Sequence, residues 1–165
     1  MLELRKIQYA RCDDRLVHGQ IVYKWLQYLN FNQVFIIDDG VAEDYIQKRL
    51  LKLSLSGVVP IQFFSCYDFA NFESQSLDKT LILFKSLSAV LKLSQEKIFI
   101  KTLSLGRLPA GAGRKKIEKG IYIDRQDLET LKDFLNKGME IFVQVVPDEN
   151  KINIKDRIKI YEKIF

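Results

Sequence analysis

Residues 4–38 read LRKIQYARCDDRLVHGQIVYKWLQYLNFNQVFIID, and this stretch decides the fold. Its opening, 4–12 (LRKIQYARC), is a strand pattern. In 19–30 (GQIVYKWLQYLN) the residues Ile21, Val22, Trp25, Leu26 and Leu29 fall on one side at helical spacing, so this part is an amphipathic helix. Residues 33–38 (QVFIID) form an unbroken apolar run that ends in acid. A strand covered on both faces, as in a parallel sheet, has that look.

The cycle continues outward from there. Residues 42–54 predict a helix with Tyr45, Ile46, Leu50 and Leu53 inward, and strand 59–65 precedes a weak helix near 67–75. Strand 79–84 (KTLILF) leads to Ser86, a good N-cap, and helix 87–94. Strand 97–102 (KIFIKT) runs into a loop, 103–117; strand 120–124 (GIYID) leads to helix 125–137, closed by Gly138. Strand 139–146 stops at Pro147, and an amphipathic segment, 154–165, ends the chain. Strands alternating with helices predict an α/β fold: an open, mainly parallel sheet with helices on both faces and right-handed crossovers, the last strand being free to run antiparallel. With no linker, repeat or low-complexity stretch, residues 1–165 are expected to form a single domain. In such sheets sites lie beyond the carboxyl ends of the strands, which singles out 12–18, 38–41, 65–67, 84–87 and 103–117.

Composition narrows the function. The 165 residues are 47% hydrophobic and 28% charged, which is a folded rather than a disordered balance. A net charge of +5 allows an acidic partner, but the lysines are scattered and the only dense basic cluster is Arg114-Lys115-Lys116. Aromatics do not interleave with basic residues as stacking on nucleic acid requires, so no nucleic acid is expected. Apolar runs such as Val34–Ile37 and Leu81–Phe84 fall far short of the ~20 residues of a membrane span. The start, MLELRK, has no apolar leader core, so the chain is expected in the cytoplasm, with Cys12 and Cys66 reduced and packed as small hydrophobes.

The chemistry concentrates in 11–20, RCDDRLVHGQ, between the first strand and the first helix. His18 is the only histidine. A neutral imidazole, with its ordinary pKa of about 6.5, is a competent nucleophile near neutrality and can hold a phosphoryl group on nitrogen. Transfer spreads negative charge over the phosphoryl oxygens, which cations and N–H donors stabilise. Arg15 offers a forked guanidinium for that charge. A helix starting near Gly19 or Gln20 aims free amides at it, and Gly19 has no side chain to block the approach. Asp13 and Asp14 can cap, pair with Arg15, or orient the imidazole; spacing does not choose between them. In loop 103–117, Gly106 and Gly111 have the spacing of a P-loop's glycines, but Ala112-Gly113 replaces its Lys-Ser/Thr, which argues against a nucleotide. Arg107 and Arg114 of this loop are candidates for contact with an acidic partner. Asp38 and Asp39 are expected to bond the neighbouring loop or cap the next helix, and Trp25 to lie in the core.

The run Arg11-Cys-Asp-Asp-Arg-Leu-Val-His-Gly-Gln-Ile-Val22, followed by Trp25, resembles the signature of the IIB component of the mannose/fructose/sorbose-family sugar phosphotransferase system (PTS). IIDDGVA at 36–42, GIYID at 120–124 and EIFVQVVP at 140–147 are also similar to that family, so the resemblance spans nearly the whole chain. It implies an open, mainly parallel α/β sheet and a cytoplasmic phosphocarrier. His18 matches the phosphorylated histidine, Arg15 would contact the phosphoryl group, and Asp14 would orient the loop or the imidazole. Arg11, Gly19 and Gln20 stand as phosphate-binding positions. The reaction implied takes phosphoryl from the phosphohistidine of a IIA protein and passes it to a hexose-type sugar translocated by membrane components IIC and IID, through which the chain would associate with the inner face of the membrane. No cofactor or metal is implied, and a homodimer is left open. The competing reading is a non-catalytic regulatory module of the same fold that holds an acidic partner with its basic loop.

Overall fold

The computed structural model describes residues 5–73 and 77–165, without the side chains of Gln20 and Ile21. Leu4 of the first expected strand and residues 74–75 of the weak helix therefore lie outside the described residues, as does the expected inward side chain of Ile21. The elements are β1 (Arg5–Asp13), α1 (Gly19–Tyr28), β2 (Gln33–Ile37), α2 (Asp39–Glu43), α3 (Tyr45–Ser54), β3 (Ile61–Phe64), α4 (Cys66–Asn71), β4 (Thr80–Phe84), α5 (Leu87–Ser94), β5 (Ile98–Arg107), β6 (Lys115–Glu118), β7 (Ile121–Ile123), α6 (Arg125–Asn136), β8 (Glu140–Val143), β9 (Ile152–Asn153) and α7 (Ile154–Glu162).

Seven strands form one sheet in the order β3-β2-β4-β1-β5-β8-β9. Every pairing is parallel except the last, β8 with β9. The continuous apolar runs of β2 and β4 lie inside this sheet, where helices cover both faces. On one face Val22, Trp25 and Leu26 of α1, Val41 of α2 and Leu51 of α3 pack on Val34, Ile36, Leu81 and Leu83. On the other, α4, α5, α6 and α7 bury Phe69, Val90, Leu131, Phe134 and Tyr161 against Ile7, Ala10, Phe35 and Ile82. The expected architecture is thus present, and the antiparallel last strand is β9, a two-residue piece not expected from the sequence.

Helix starts follow the capping residues closely. Asp38, Asp44, Ser65, Ser86, Asp124 and Asn153 each accept a hydrogen bond from the first turn of the helix they precede. Among the described helices only α1 starts without such a bond; its N-cap is His18.

Three expectations are corrected. Helix 42–54 is two helices, because Asp44 leaves helical geometry and caps α3 afresh. The break changes the phase of the helix, so that Leu51 and Leu55 turn inward while Tyr45, Ile46, Leu50 and Leu53 stay 60–71% exposed. Loop 103–117 is shorter than expected, since β5 continues to Arg107 and β6 begins at Lys115. Strand 120–124 is not a strand of the main sheet: β7 folds back on β6 as an antiparallel hairpin, with Gly120 at φ +74° in the turn, and touches the end of β5 through Leu108 and Ile121.

Candidate functional site

Strand alternation builds the site's base. Arg11 and Asp13 are two residues apart on β1, so their side chains share the face that carries α1. Both are 1% exposed, and Cys12 between them points into the opposite core. Both Nη groups of the Arg11 guanidinium are engaged. Its Nη1 donates to Ser104 Oγ at 3.0 Å and the Gln144 carbonyl at 2.7 Å; its Nη2 donates to the Val145 carbonyl at 2.9 Å and lies 3.5 Å from Asp13 Oδ2. The group also stacks over the Trp25 ring, 4.8 Å from its centre. Trp25 Nε1 donates to the same Val145 carbonyl at 3.1 Å. Gly106 leaves the necessary room: a β-carbon there would lie 2.0 Å from Arg11 Nη2 and 2.6 Å from Asp13 Oδ2.

Above this base, Asp13 is a hub. Its Oδ1 accepts from Arg15 N at 3.1 Å and Nε at 3.0 Å; its Oδ2 accepts from Arg15 Nη2 at 2.9 Å and faces His18 Nε2 at 3.4 Å. Burial alone would raise the carboxyl's pKa. The Arg15 hydrogen bonds, helped by the Arg11 charge, outweigh burial and hold it below the ordinary aspartate value, so the hub is ionised. Leu16 locks the turn that follows. Its N–H donates to the Asp13 carbonyl at 2.9 Å, and the residue sits at φ +55° with its side chain buried. A left-handed leucine is strained by about 1–3 kcal/mol, which packing of its side chain against the α1 cluster offsets.

His18 closes the loop. Its side chain is 20% exposed. Burial lowers its pKa and the charges of Arg15 and Arg11 lower it further, while Asp13 pulls the other way; the net shift is downward. A base with a depressed pKa keeps its lone pair to lower pH, so the ring is uncharged at neutrality. We expect the His18 ring protons to titrate by NMR with a midpoint below the ordinary ~6.5, and capacity to react to fall only beneath that midpoint. A midpoint at or above 6.5 would contradict this electrostatic account.

The structure brings His18, Arg15 and Gly19 together as expected. Gly19 is at φ +45° and exposed, with open space where a side chain would point. Gln20 is in the first turn of α1, but its side chain lies outside the described residues. Two expected roles are narrowed. Of the two left open for Asp14, loop or imidazole, the geometry favours the loop: Asp14 lies in the turn after β1 and pairs with Arg107, Oδ1 to Nε 3.4 Å, and its N–H donates to the Arg107 carbonyl, while Asp13 is the carboxylate at the imidazole. Arg11 is not at the surface where a phosphate could reach it; its donors are spent inside. Arg114 bonds Asp127 and the Pro109 carbonyl. A cavity of about 630 Å³ lies between Asp14, Asp38, Lys85, Leu108 and Arg114. His18 does not line it. Asp38 caps α2 through Val41 N, and Trp25 is buried, as expected. Sequence reasoning missed Ser104, Gly106 and Gln144 as supports, and left Asp13 unresolved. The two-residue period of β1 was the signal that pairs Asp13 with Arg11.

Residues 7–164 match the family described as the PTS system sorbose subfamily IIB component. The N-acetylgalactosamine-specific phosphotransferase enzyme IIB component 1 of Escherichia coli K12 is 31% identical over 153 residues, 91% of this chain and 97% of that protein. The mannose-specific EIIAB component of the same organism is 26% identical over 160 residues, 95% of this chain but 50% of that protein. Among solved structures, the IIB domain of the sorbose permease from Klebsiella pneumoniae superimposes with a TM-score of 0.84 at 27% identity, over 93% of this chain and 98% of that one.

Proposed function

Because this chain belongs to the sorbose subfamily of PTS IIB components, we propose that it carries a phosphoryl group on Nδ1 of His18 between a phosphorylated IIA protein and a sugar. The observation that carries the reading is the contact of His18 Nε2 with the ionised Asp13 hub. An anionic oxygen there accepts a hydrogen bond, so the ring proton resides on Nε2 and the lone pair on Nδ1. No base is needed to activate that nitrogen. It attacks phosphorus, the donor's P–N bond breaks, and the electron pair returns to the donor imidazole. In the second step a sugar hydroxyl attacks, the P–Nδ1 bond breaks, and the hydroxyl proton leaves to solvent or a base on the acceptor side.

Arg15 serves the charge of the transferring group. Asp13 takes only its Nε and Nη2 edge, and the side chain is 30% exposed. The uncapped first turn of α1 adds amide donors close by. The placement of the ring at the surface, outside the cavity, suits reaction with a second protein's phosphohistidine. A IIA donor is supported by the mannose-specific relative, whose name joins A and B and half of which this chain matches. The acceptor side, a sugar held by membrane components IIC and IID at the cytoplasmic face, follows from the family and is part of the proposal. Among the described residues no helix is long and apolar enough to cross a membrane. Arg107 and Arg114 are already paired with acids of this chain, so the carrier reading is favoured over a module that binds through its basic loop.

The test is to load the protein from a phosphorylated IIA and map the product. Peptide mass mapping is expected to place one acid-labile, base-stable phosphoryl group on His18, and ¹⁵N and ³¹P NMR to assign it to Nδ1. Phosphate on any other residue ends the reading; phosphate on Nε2 overturns the role given to Asp13.

A further inference from the structure

The exposed apolar surface of this molecule is unevenly distributed. Among the described residues nine large apolar side chains are exposed, and six of them, Tyr23, Tyr28, Tyr45, Ile46, Leu50 and Leu53, belong to α1 and α3. The four helices of the opposite face contribute only Tyr67 and Ile160. Charge follows the same division. Neither α1 nor α3 contains an acidic residue, while together they carry Lys24, Lys48, Arg49 and Lys52. On the opposite face acids and bases alternate, as in α6 (RQDLETLKDFLN) and α7 (IKDRIKIYE). Lys24, Arg49 and Lys52 are exposed and form no ion pair among the described residues. The acids that adjoin α3 in the chain, Glu43 at the end of α2 and Asp44 at the N-cap, stand at its head.

We propose that the face of the sheet covered by α1 and α3 is a docking surface for an anionic lipid bilayer, on which both helices lie. Three arguments select this occupant. First, the apolar side chains protrude from helices, 60–71% exposed on α3, and so suit insertion among headgroups better than the filling of a pocket. Second, tyrosine, leucine and isoleucine next to unpaired lysine and arginine are the composition of a helix that lies in the interface, whereas neither helix is long and apolar enough to span. Third, a second copy of this chain would bring the same cations face to face across a two-fold axis, whereas anionic headgroups neutralise them. The inference rests on exposure and charge alone and does not depend on the role of His18.

The experiment is flotation of the full chain with vesicles of phosphatidylglycerol and phosphatidylcholine in equal parts, against phosphatidylcholine alone. We expect binding to the anionic vesicles only, weakened by salt. Each cation removed costs about fivefold in binding, so the double variant Arg49→Gln/Lys52→Gln should bind about 25-fold more weakly. Leu50→Ser/Leu53→Ser should lose binding as well, through lost insertion. All these positions are exposed, and unchanged unfolding midpoints of the variants, followed by the fluorescence of buried Trp25, show that they fold. No binding to anionic vesicles, or binding indifferent to these substitutions, overturns the inference. Equally, if the wild-type chain instead self-associates or captures soluble polyglutamate, with loss in these same variants and no flotation, the face belongs to a protein contact and the inference fails.

Discussion

Asp13→Asn is expected to slow phosphoryl transfer through His18 by on the order of a hundredfold or more. The exchange keeps shape and removes charge. The aspartate accepts from Arg15 through both oxygens and faces the imidazole with one of them, and these neighbours are donors. An asparagine presents one oxygen and one NH₂, so one side of the hub becomes donor against donor. If the oxygen stays on Arg15, the NH₂ faces His18 Nε2; the ring then shifts its proton to Nδ1 and loses the nucleophilic lone pair. If the amide flips, Arg15 is displaced. A hundredfold loss is about 2.7 kcal/mol of barrier, in scale with the misplacement of a tautomer. The substitution also removes the charge that pulls the His18 pKa upward, so that pKa falls further. Rapid-quench transfer from phosphorylated IIA measures the rate and ¹⁵N shifts report the tautomer. Transfer within about threefold of the unaltered protein, with the tautomer unchanged, would remove Asp13 from the account.

Arg11→Met should produce the largest loss of stability of any single substitution at this site, about 3–5 kcal/mol. Methionine fills most of the volume but makes none of the bonds. Ser104 Oγ and the Gln144 carbonyl lose this donor, the Val145 carbonyl keeps only Trp25 Nε1, and buried Asp13 loses one of its two cations. Burial already lowers the Arg11 pKa, which indicates that these bonds hold a charge taken out of water at a cost. Against a total stability of roughly 5–15 kcal/mol, the loss is a large fraction. Trp25, the only tryptophan, packs on the guanidinium and bonds Val145, so its fluorescence follows unfolding at the place of change. Arg15→Met is the comparison: Arg15 is part-exposed, so its removal should cost clearly less stability while impairing transfer. Equal denaturation midpoints for the Arg11 variant and the unaltered chain would show that the buried cation is not a support.

What the sequence revealed depended on how local the deciding interaction is. β2, β4 and α1 carry periodicities that admit one reading, and the order of strands and helices follows from them. For α3 the segment offers two apolar stripes, Ile46-Leu50-Leu53 and Leu51-Leu55, and periodicity does not say which is buried. The choice is made by the fresh cap at Asp44, which resets the helical phase. The hairpin of β6 and β7 was hidden because its pairing depends on a turn and on the length of β5, neither of which shows in hydrophobicity. At the site, His18 and Arg15 were legible from chemistry and motif. Motif position left Asp13 and Asp14 both open as partners of the imidazole; strand geometry puts Asp13 on the side of Arg11, while Asp14 lies in the turn beyond β1 and pairs with Arg107.

On the proposed loading of His18, the start of α1 lets the chain register its own cargo. Every other described helix opens with an oxygen already supplied by a side chain, but α1 opens on His18, the residue proposed to be loaded. A phosphoryl group there provides the oxygens that the neighbouring amides lack, a bond worth about 1 kcal/mol at ordinary helix starts. Favour between helix and cargo is mutual by thermodynamic necessity, so the loaded chain has a firmer α1 and the unloaded chain a looser one. On that reading, a docking protein that touched this helix would tell full from empty by its stiffness as well as by its charge.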